Sequence, residues 1–320
     1  MDSEHSELLL NQPFTLIQTM KKFLISLLFV FFAMSTVCGR VAEVGQIVRL
    51  DQVDAISGRP AISGDGCFVV GQGADGIVKI DLANKVQEKI ADGHDIYNIV
   101  VSPDGESVAF IRPTIGEDRL RYTSVEVADI ESKTVETVVG KSRSLGSGIS
   151  FGRNSVKTIE GGRITKKSVK SIKDSDLDWP VVGIYLGHLM VDGTAIDPQG
   201  KGSYLWPSLS PDGKRIVYWL VGQGCFVCNI DGSDAKHLGG MRAAVWAGND
   251  AVIGMYDRDD GVTITESRLV AKDLRSDSEQ LLTPEGLIAL FPAATPSRVA
   301  FVDLEGTLHY FDFKIGQLGQ

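Results

Sequence analysis

The stretch Gly148-Ile149-Ser150-Phe151-Gly152 has the G-x-S-x-G spacing of a nucleophile elbow, the turn that lifts a serine out of a sheet for acyl transfer. That elbow needs a strand, a strained turn and then a helix within an α/β sheet. The flanking residues show no helical period, so the chemistry lacks its setting. Cys225-Phe226-Val227-Cys228 has the C-x-x-C spacing of a redox or metal pair. It lies in a strand-like run, where alternation sends the two sulfurs to opposite faces, and no second pair completes a tetrahedral zinc site. Cys225 and Cys228 are therefore expected as core residues without redox work.

The remaining chemistry-bearing groups are scattered. Asp257-Arg258-Asp259-Asp260-Gly261 resembles a calcium loop, but its Gly arrives one place early and Glu266 stands two places short of the bidentate position. Asp260-Gly261 reads better as a hairpin turn. Asp174, Asp176 and Asp178 read as a solvated loop, and His94, His188, His237 and His309 as turn or surface residues. No catalytic residue, no metal site and no cofactor is expected.

The elements that must hold any site are announced by a repeated corner. Ser102-Pro103-Asp104-Gly105 and Ser210-Pro211-Asp212-Gly213 are the same four residues, each followed by a short apolar run. Pro presets φ, Asp bonds nearby backbone and Gly accepts positive φ, so the chain reverses between antiparallel strands. Worn copies begin at Ser63, Ser150, Ala247 and Ala293. Each is followed by a second strand-like run such as Ile77–Leu82 or Phe226–Asp231, then further short apolar stretches. Six such units, none able to bury both faces alone, predict an all-β, six-bladed β-propeller of four-stranded antiparallel blades. The expected blades are 54–92, 93–142, 143–202, 203–240, 241–284 and 285–314. The last is short of an outer strand, and Val44–Leu50 has the pattern to supply it and so join the N- and C-terminal ends.

The run Pro207-Ser208-Leu209-Ser210-Pro211-Asp212-Gly213-Lys214 resembles the TolB-type propeller repeat, also called the PD40 or WD40-like repeat. The resemblance spans about 45–315 and implies export, a propeller and a scaffold or binding role. It covers the propeller only, without the α/β domain that precedes it in TolB.

Ahead of the repeats, Met20-Lys21-Lys22 and the apolar Phe23–Met34 read as a signal peptide, with cleavage near Val37-Cys38-Gly39 and Met20 as the start. The expected division is 1–39 extension and signal peptide, 40–320 propeller, without a membrane span in the mature form and with lipidation of Cys38 as the less favoured fate. The location is then periplasmic or secreted. The chain has 320 residues, 43% of them hydrophobic, and a net charge of −9, which leaves no basic footprint for nucleic acid.

In a propeller the innermost strands open onto a central channel. Positions five or six before each corner fall at one mouth, which nominates Tyr97, Tyr204 and Arg242, with Trp206 and Trp246 further along their strands. Tyr, Trp and Arg are the types enriched at binding hot spots. The expected function is a non-enzymatic, monomeric scaffold in the cell envelope, taking an envelope protein or a glycan or peptide ligand. The alternative is a propeller enzyme, a glycan or peptide hydrolase or lyase, with its site in the channel.

Overall fold

The Ser-Pro-Asp-Gly corner folds on local bonds alone. In a computed structural model, Ser102 Oγ donates to Asp104 Oδ1 (2.5 Å) and accepts from the Ser107 N–H (2.9 Å), while Asp104 Oδ1 accepts from Glu106 N–H (3.0 Å). Ser210 and Asp212 repeat the pattern at 2.6, 2.9 and 3.2 Å, and Ser63 and Asp65 at 2.6, 3.1 and 2.9 Å. Gly66, Gly105 and Gly213 adopt φ of 72°, 73° and 71°, a region that disfavours side chains. Bonding to the serine hydroxyls holds the Asp65 and Asp212 carboxyls below their ordinary range.

The structure describes residues 41–170, 172 and 178–316. The leader expected over 1–39, including Cys38, and Asp174 and Asp176 lie outside them. Among the described residues no helix is long and apolar enough to cross a membrane.

The strands run β1 (Ala42–Val44), β2 (Val48–Arg49), β3 (Ser57–Ile62), β4 (Phe68–Gln72), β5 (Gly76–Asp81), β6 (Val86–Asp92) and β7 (Tyr97–Val101). Next come β8 (Ser107–Ile115), β9 (Arg121–Asp129), β10 (Val135–Ser142), β11 (Leu145–Gly152), β12 (Ser155–Glu160) and β13 (Arg163–Ser168). After them stand β14 (Val182–Tyr185), β15 (His188–Val191), β16 (Thr194–Ala195), β17 (Tyr204–Leu209), β18 (Arg215–Leu220), β19 (Gly224–Asn229) and β20 (Lys236–Gly239). The last are β21 (Arg242–Trp246), β22 (Ala251–Asp259), β23 (Ile264–Asp273), β24 (Glu279–Leu281), β25 (Leu290–Ala294), β26 (Arg298–Val302) and β27 (Leu308–Ile315).

They form seven antiparallel sheets, not the six expected. Blades 1 and 2 are β3–β6 and β7–β10; blades 3 and 4 are β11–β13 and β14–β16. Blades 5 and 6 are β17–β20 and β21–β24, and blade 7 is β25–β27 with β1 and β2. The segment 143–202, expected as one blade, is two, each of three strands among the described residues. The charged run that includes Lys166 and Lys167 lies in β13. Blade 4 turns on Leu186-Gly187 (φ 49° and 85°) and Asp192-Gly193 (47° and 78°), two-residue hairpins that need no Ser-Pro-Asp-Gly.

The two short blades sit together because glycine lets their inner strands touch. A Cβ on Gly183 of β14 falls 2.4 Å from Gly148 N and 2.6 Å from its Cα, and one on Gly148 falls 2.8 Å from the Val182 carbonyl oxygen. The glycine that opens G-x-S-x-G is thus a close-approach residue. Ser150 does not cap a corner, as its place in the repeat suggested; its hydroxyl donates to the Trp179 carbonyl (3.0 Å).

The ring closes between the chain's two ends, through the N-terminal segment nominated for the task. Ala42, Glu43 and Val44 pair with Ile315, Lys314 and Phe313, and Val48 and Arg49 with Tyr310 and His309. The Gln280 side chain of blade 6 acts as one more strand residue, accepting from Ala42 N–H (3.0 Å) and donating to its carbonyl (3.1 Å). Val41, Leu50, Phe301, Phe311 and Phe313 are sealed in the core this joint covers. Each such side chain contributes about 1.5–3 kcal/mol by leaving water.

Gly183→Ala is expected to lower unfolding free energy by about 2 kcal/mol, because its new methyl meets backbone that cannot yield. Gly140→Ala, with open space around it, should change stability by less than about 0.5 kcal/mol. Urea denaturation of both variants checks this; equal effects contradict the contact between blades 3 and 4.

Candidate functional site

Six of the seven inner strands break register near their start. In β7, four residues (Tyr97 to Val100) face three on β8 (Ile111 to Ala109); β17, β21 and β25 repeat that mismatch, and β3 and β11 carry a larger one. An extra residue makes a β-bulge, which bends the strand and re-aims its side chains. At or beside the bulges Gly58, Asn98, Trp206, Ala243 and Phe291 adopt φ of 79°, 50°, 49°, 52° and 53°. For the non-glycine residues this backbone costs about 1 kcal/mol each. Pro60, Pro207 and Pro292 follow in three of these strands. An inner strand has a free edge along the channel, so it tolerates a residue without N–H.

The bulges bring together residues from three blades. Arg59 of β3 reaches past blade 7 to the Ala243 carbonyl of blade 6 (Nη2–O 3.4 Å), and its guanidinium carbon lies 5.9 Å from the Trp206 ring centroid. The Arg242 guanidinium carbon lies 5.5 Å from the same ring. Both distances are within cation–π range. Arg242 is also committed elsewhere, since its Nη1 contacts Asp257 Oδ2 at 2.6 Å and Asp257 is only 2% exposed. Arg242 Nε and Asp257 Oδ1 are buried without partners. Arg59 has no carboxylate within ion-pair distance among the described residues. Although water touches it, protein rings it closely, and that desolvation pulls its pKa down to about 10.

Of these three, Arg59 lines a cavity of about 600 Å³ along the channel, together with Tyr97, Asn98, Ser147, Trp246 and many apolar side chains. Tyr97 stands at the rim, 39% exposed, and burial of its inner side pushes the hydroxyl pKa up against the opposing pull of Arg121. Asn98 donates from Nδ2 to the Ser147 carbonyl (2.9 Å), tying blade 2 to blade 3.

The five nominated residues therefore part company. Tyr97 lines the cavity, while Trp206 and Arg242 meet Arg59 near the starts of β17 and β21. Tyr204 is fully buried, its hydroxyl donating to the Gly200 carbonyl (2.8 Å) and accepting from Gln199 N–H (3.1 Å), with Tyr218 packed on its ring. Trp246, 5% exposed, donates from Nε1 to the Ser208 carbonyl (2.8 Å) beneath the Arg215 guanidinium. Arg59 was missed. It sits four residues before its corner, displaced by the larger bulge in β3, and the one cue was an Arg-Pro pair inside a strand pattern.

The other chemistry-bearing groups have structural places. Cys225 and Cys228 are buried in different core clusters on opposite faces of β19, and burial pushes both thiols up to about 12. Cys67 is exposed. Asp260 accepts from Val262 and Thr263 N–H at a hairpin tip (2.9 and 2.8 Å). Asp178 pairs with Lys157 (2.9 Å). His309, expected at a surface or turn, is buried in β27 with Asp303 (2.9 Å) and stacks on Phe301.

No family model matches the chain, and neither does any curated protein. Many solved structures share its fold. The β-propeller domain of Cps50 (Swd1) from Myceliophteria thermophila aligns at 11% identity and TM-score 0.56, covering 84% of this chain and 99% of that one. A protein described as a TolB from Agrobacterium tumefaciens aligns at 14% and 0.50, covering 87% and 99%. An oligogalacturonate lyase from Vibrio parahaemolyticus aligns at 16% and 0.46, covering 84% and 80%. At these identities the likeness defines the class of protein, a β-propeller, and nothing narrower.

Arg242→Met is expected to destabilise the fold by about 3 kcal/mol, because it strands the buried Asp257 carboxylate. Arg242→Met with Asp257→Leu should recover most of that loss. Urea denaturation checks both; a neutral Arg242→Met would show that the pair does not hold.

Proposed function

We propose that this chain is an exported, monomeric binding propeller rather than an enzyme, and that its ligand or partner engages the strand-start mouth of the channel. The observation that carries this reading is the convergence of Arg59, Trp206 and Arg242 from three blades at that mouth. Arg and Trp are the side chains that most often anchor a bound partner. The strained Trp206, Ala243 and Phe291 point the same way, since such backbone persists where surrounding structure holds a site in shape. Below the rim the wall is largely prolines, alanines and branched aliphatics, a surface suited to holding a ligand. Export is supported by the basic start and apolar run at Met20–Met34. Kinship with the TolB-type repeat is supported by the serine–aspartate bonds of the three Ser-x-Asp-Gly corners.

The test is capture of binders from a detergent-solubilised envelope extract of the source cell on the immobilised protein. The double variant Tyr97→Ala/Arg59→Ala serves as comparison, because neither residue has an ionic partner to strand. A species held stoichiometrically by the parent and reduced at least tenfold on the variant is the expected result. Equal retention of every captured species by the variant contradicts a site at this mouth.

A further inference from the structure

Arg59 is a closely enclosed charge with no carboxylate partner among the described residues. Its guanidinium, with five N–H donors, faces one long contact to the Ala243 carbonyl and the π-face of Trp206, and no carboxylate among the described residues balances it. A desolvated cation without a counter-charge is unfavourable unless something else supplies that charge. Beside it, Arg242 Nε is buried without an acceptor, in the second guanidinium that meets the same indole. A guanidinium without a counter-charge, set against an aromatic ring, is suited to receive an anion.

The amount of charge selects the anion. Arg242 is neutralised by Asp257, so the mouth carries one uncompensated positive charge. One charge matches a monoanion, whereas phosphate carries close to two at neutral pH. The chain's own net charge of −9 further disfavours multiply charged ligands. A planar guanidinium also fits a carboxylate bidentately, with two parallel N–H···O bonds. The adjoining cavity of about 600 Å³ is walled by groups such as Pro60, Ala61, Val100, Ile149, Pro207 and Val245, which would hold an apolar body.

We infer that the channel mouth binds an organic monocarboxylate, its carboxylate on Arg59 over the Trp206 ring and its apolar body in the channel below. This rests on the proposed function, because it names the ligand class of that same mouth. Desolvation already draws the Arg59 pKa down towards 10, a strain that a bound carboxylate relieves. Trp206, at the register shift in β17, lies 5.9 Å from the guanidinium carbon and positions it.

The experiment is isothermal titration of the full chain with sodium hexanoate, neutral hexanamide and inorganic phosphate. It is run on the parent, Arg59→Met and Arg59→Lys, with thermal melting of each protein alone. Hexanoate is expected to bind the parent at least tenfold more tightly than hexanamide or phosphate. Arg59→Met should lose that preference, and Arg59→Lys, which keeps the charge without the fork, should fall between. Arg59→Met should melt no lower than the parent, since it removes an unbalanced charge; a lower melting point would mean that Arg59 is structural and would overturn the inference. Equal binding of hexanoate and hexanamide, unchanged by Arg59→Met, overturns the carboxylate and leaves the channel as a binding site. Phosphate binding more tightly than hexanoate through Arg59 overturns the choice of anion. Failure of every probe to bind the parent overturns the inference, while the capture experiment still judges the proposed function.

Discussion

The main-chain pairing of β1 and β2 with β27 is the joint on which the rest depends. A single blade has two apolar faces and can cover them only with neighbours, so an open ring leaves core exposed at its break. Here the break is sealed by the residues farthest apart in the described chain. Ala42 pairs with Ile315, and Gly316 N–H bonds the Val41 carbonyl at 2.9 Å. Gln280 holds the N-terminal strand from the next blade, so the seal spans two sheets. The buried Asp303–His309 pair and the Phe301–Phe311 contact lie in the blade so completed.

A closed ring fixes the inner strands around a channel, and the bulges then decide what that channel presents. A regular strand alternates its side chains between the two blade faces. Adding a residue at the start of β17 and β21, and more in β3, breaks that alternation where it counts. Trp206, Arg242 and Arg59 meet as a result, at the expense of left-handed backbone at Trp206 and Ala243. Rigidity and recognition thus come from different parts of each blade. Corners and core make the frame, and the strained strand starts make the mouth.

The propeller was legible because its corner is chemically stereotyped. Serine, aspartate and glycine each have one job in that turn, and the same bonds recur at Ser63, Ser102 and Ser210. The blade number was not legible, because blade 4 turns on the two-residue hairpins Leu186-Gly187 and Asp192-Gly193, which lack the serine-led four-residue corner. Gly148 reads as a motif residue in the sequence, and only the packing of its strand against Gly183 reveals its purpose. Counting back from the corner reached the first residues of β7 and β21, Tyr97 and Arg242. The same count misplaced Tyr204, whose hydroxyl is spent on its own loop, and passed over Arg59, because a bulge changes the count.

Hydrogen–deuterium exchange of the full chain, read by mass spectrometry, measures the closure directly. Peptides covering 42–50 and 308–315 should exchange as slowly as those covering β8 and β9, and should lose protection together as urea is raised. Residues 42–50 exchanging at the rate of an unpaired segment, while β27 stays protected, would contradict a ring closed by its N-terminal strands.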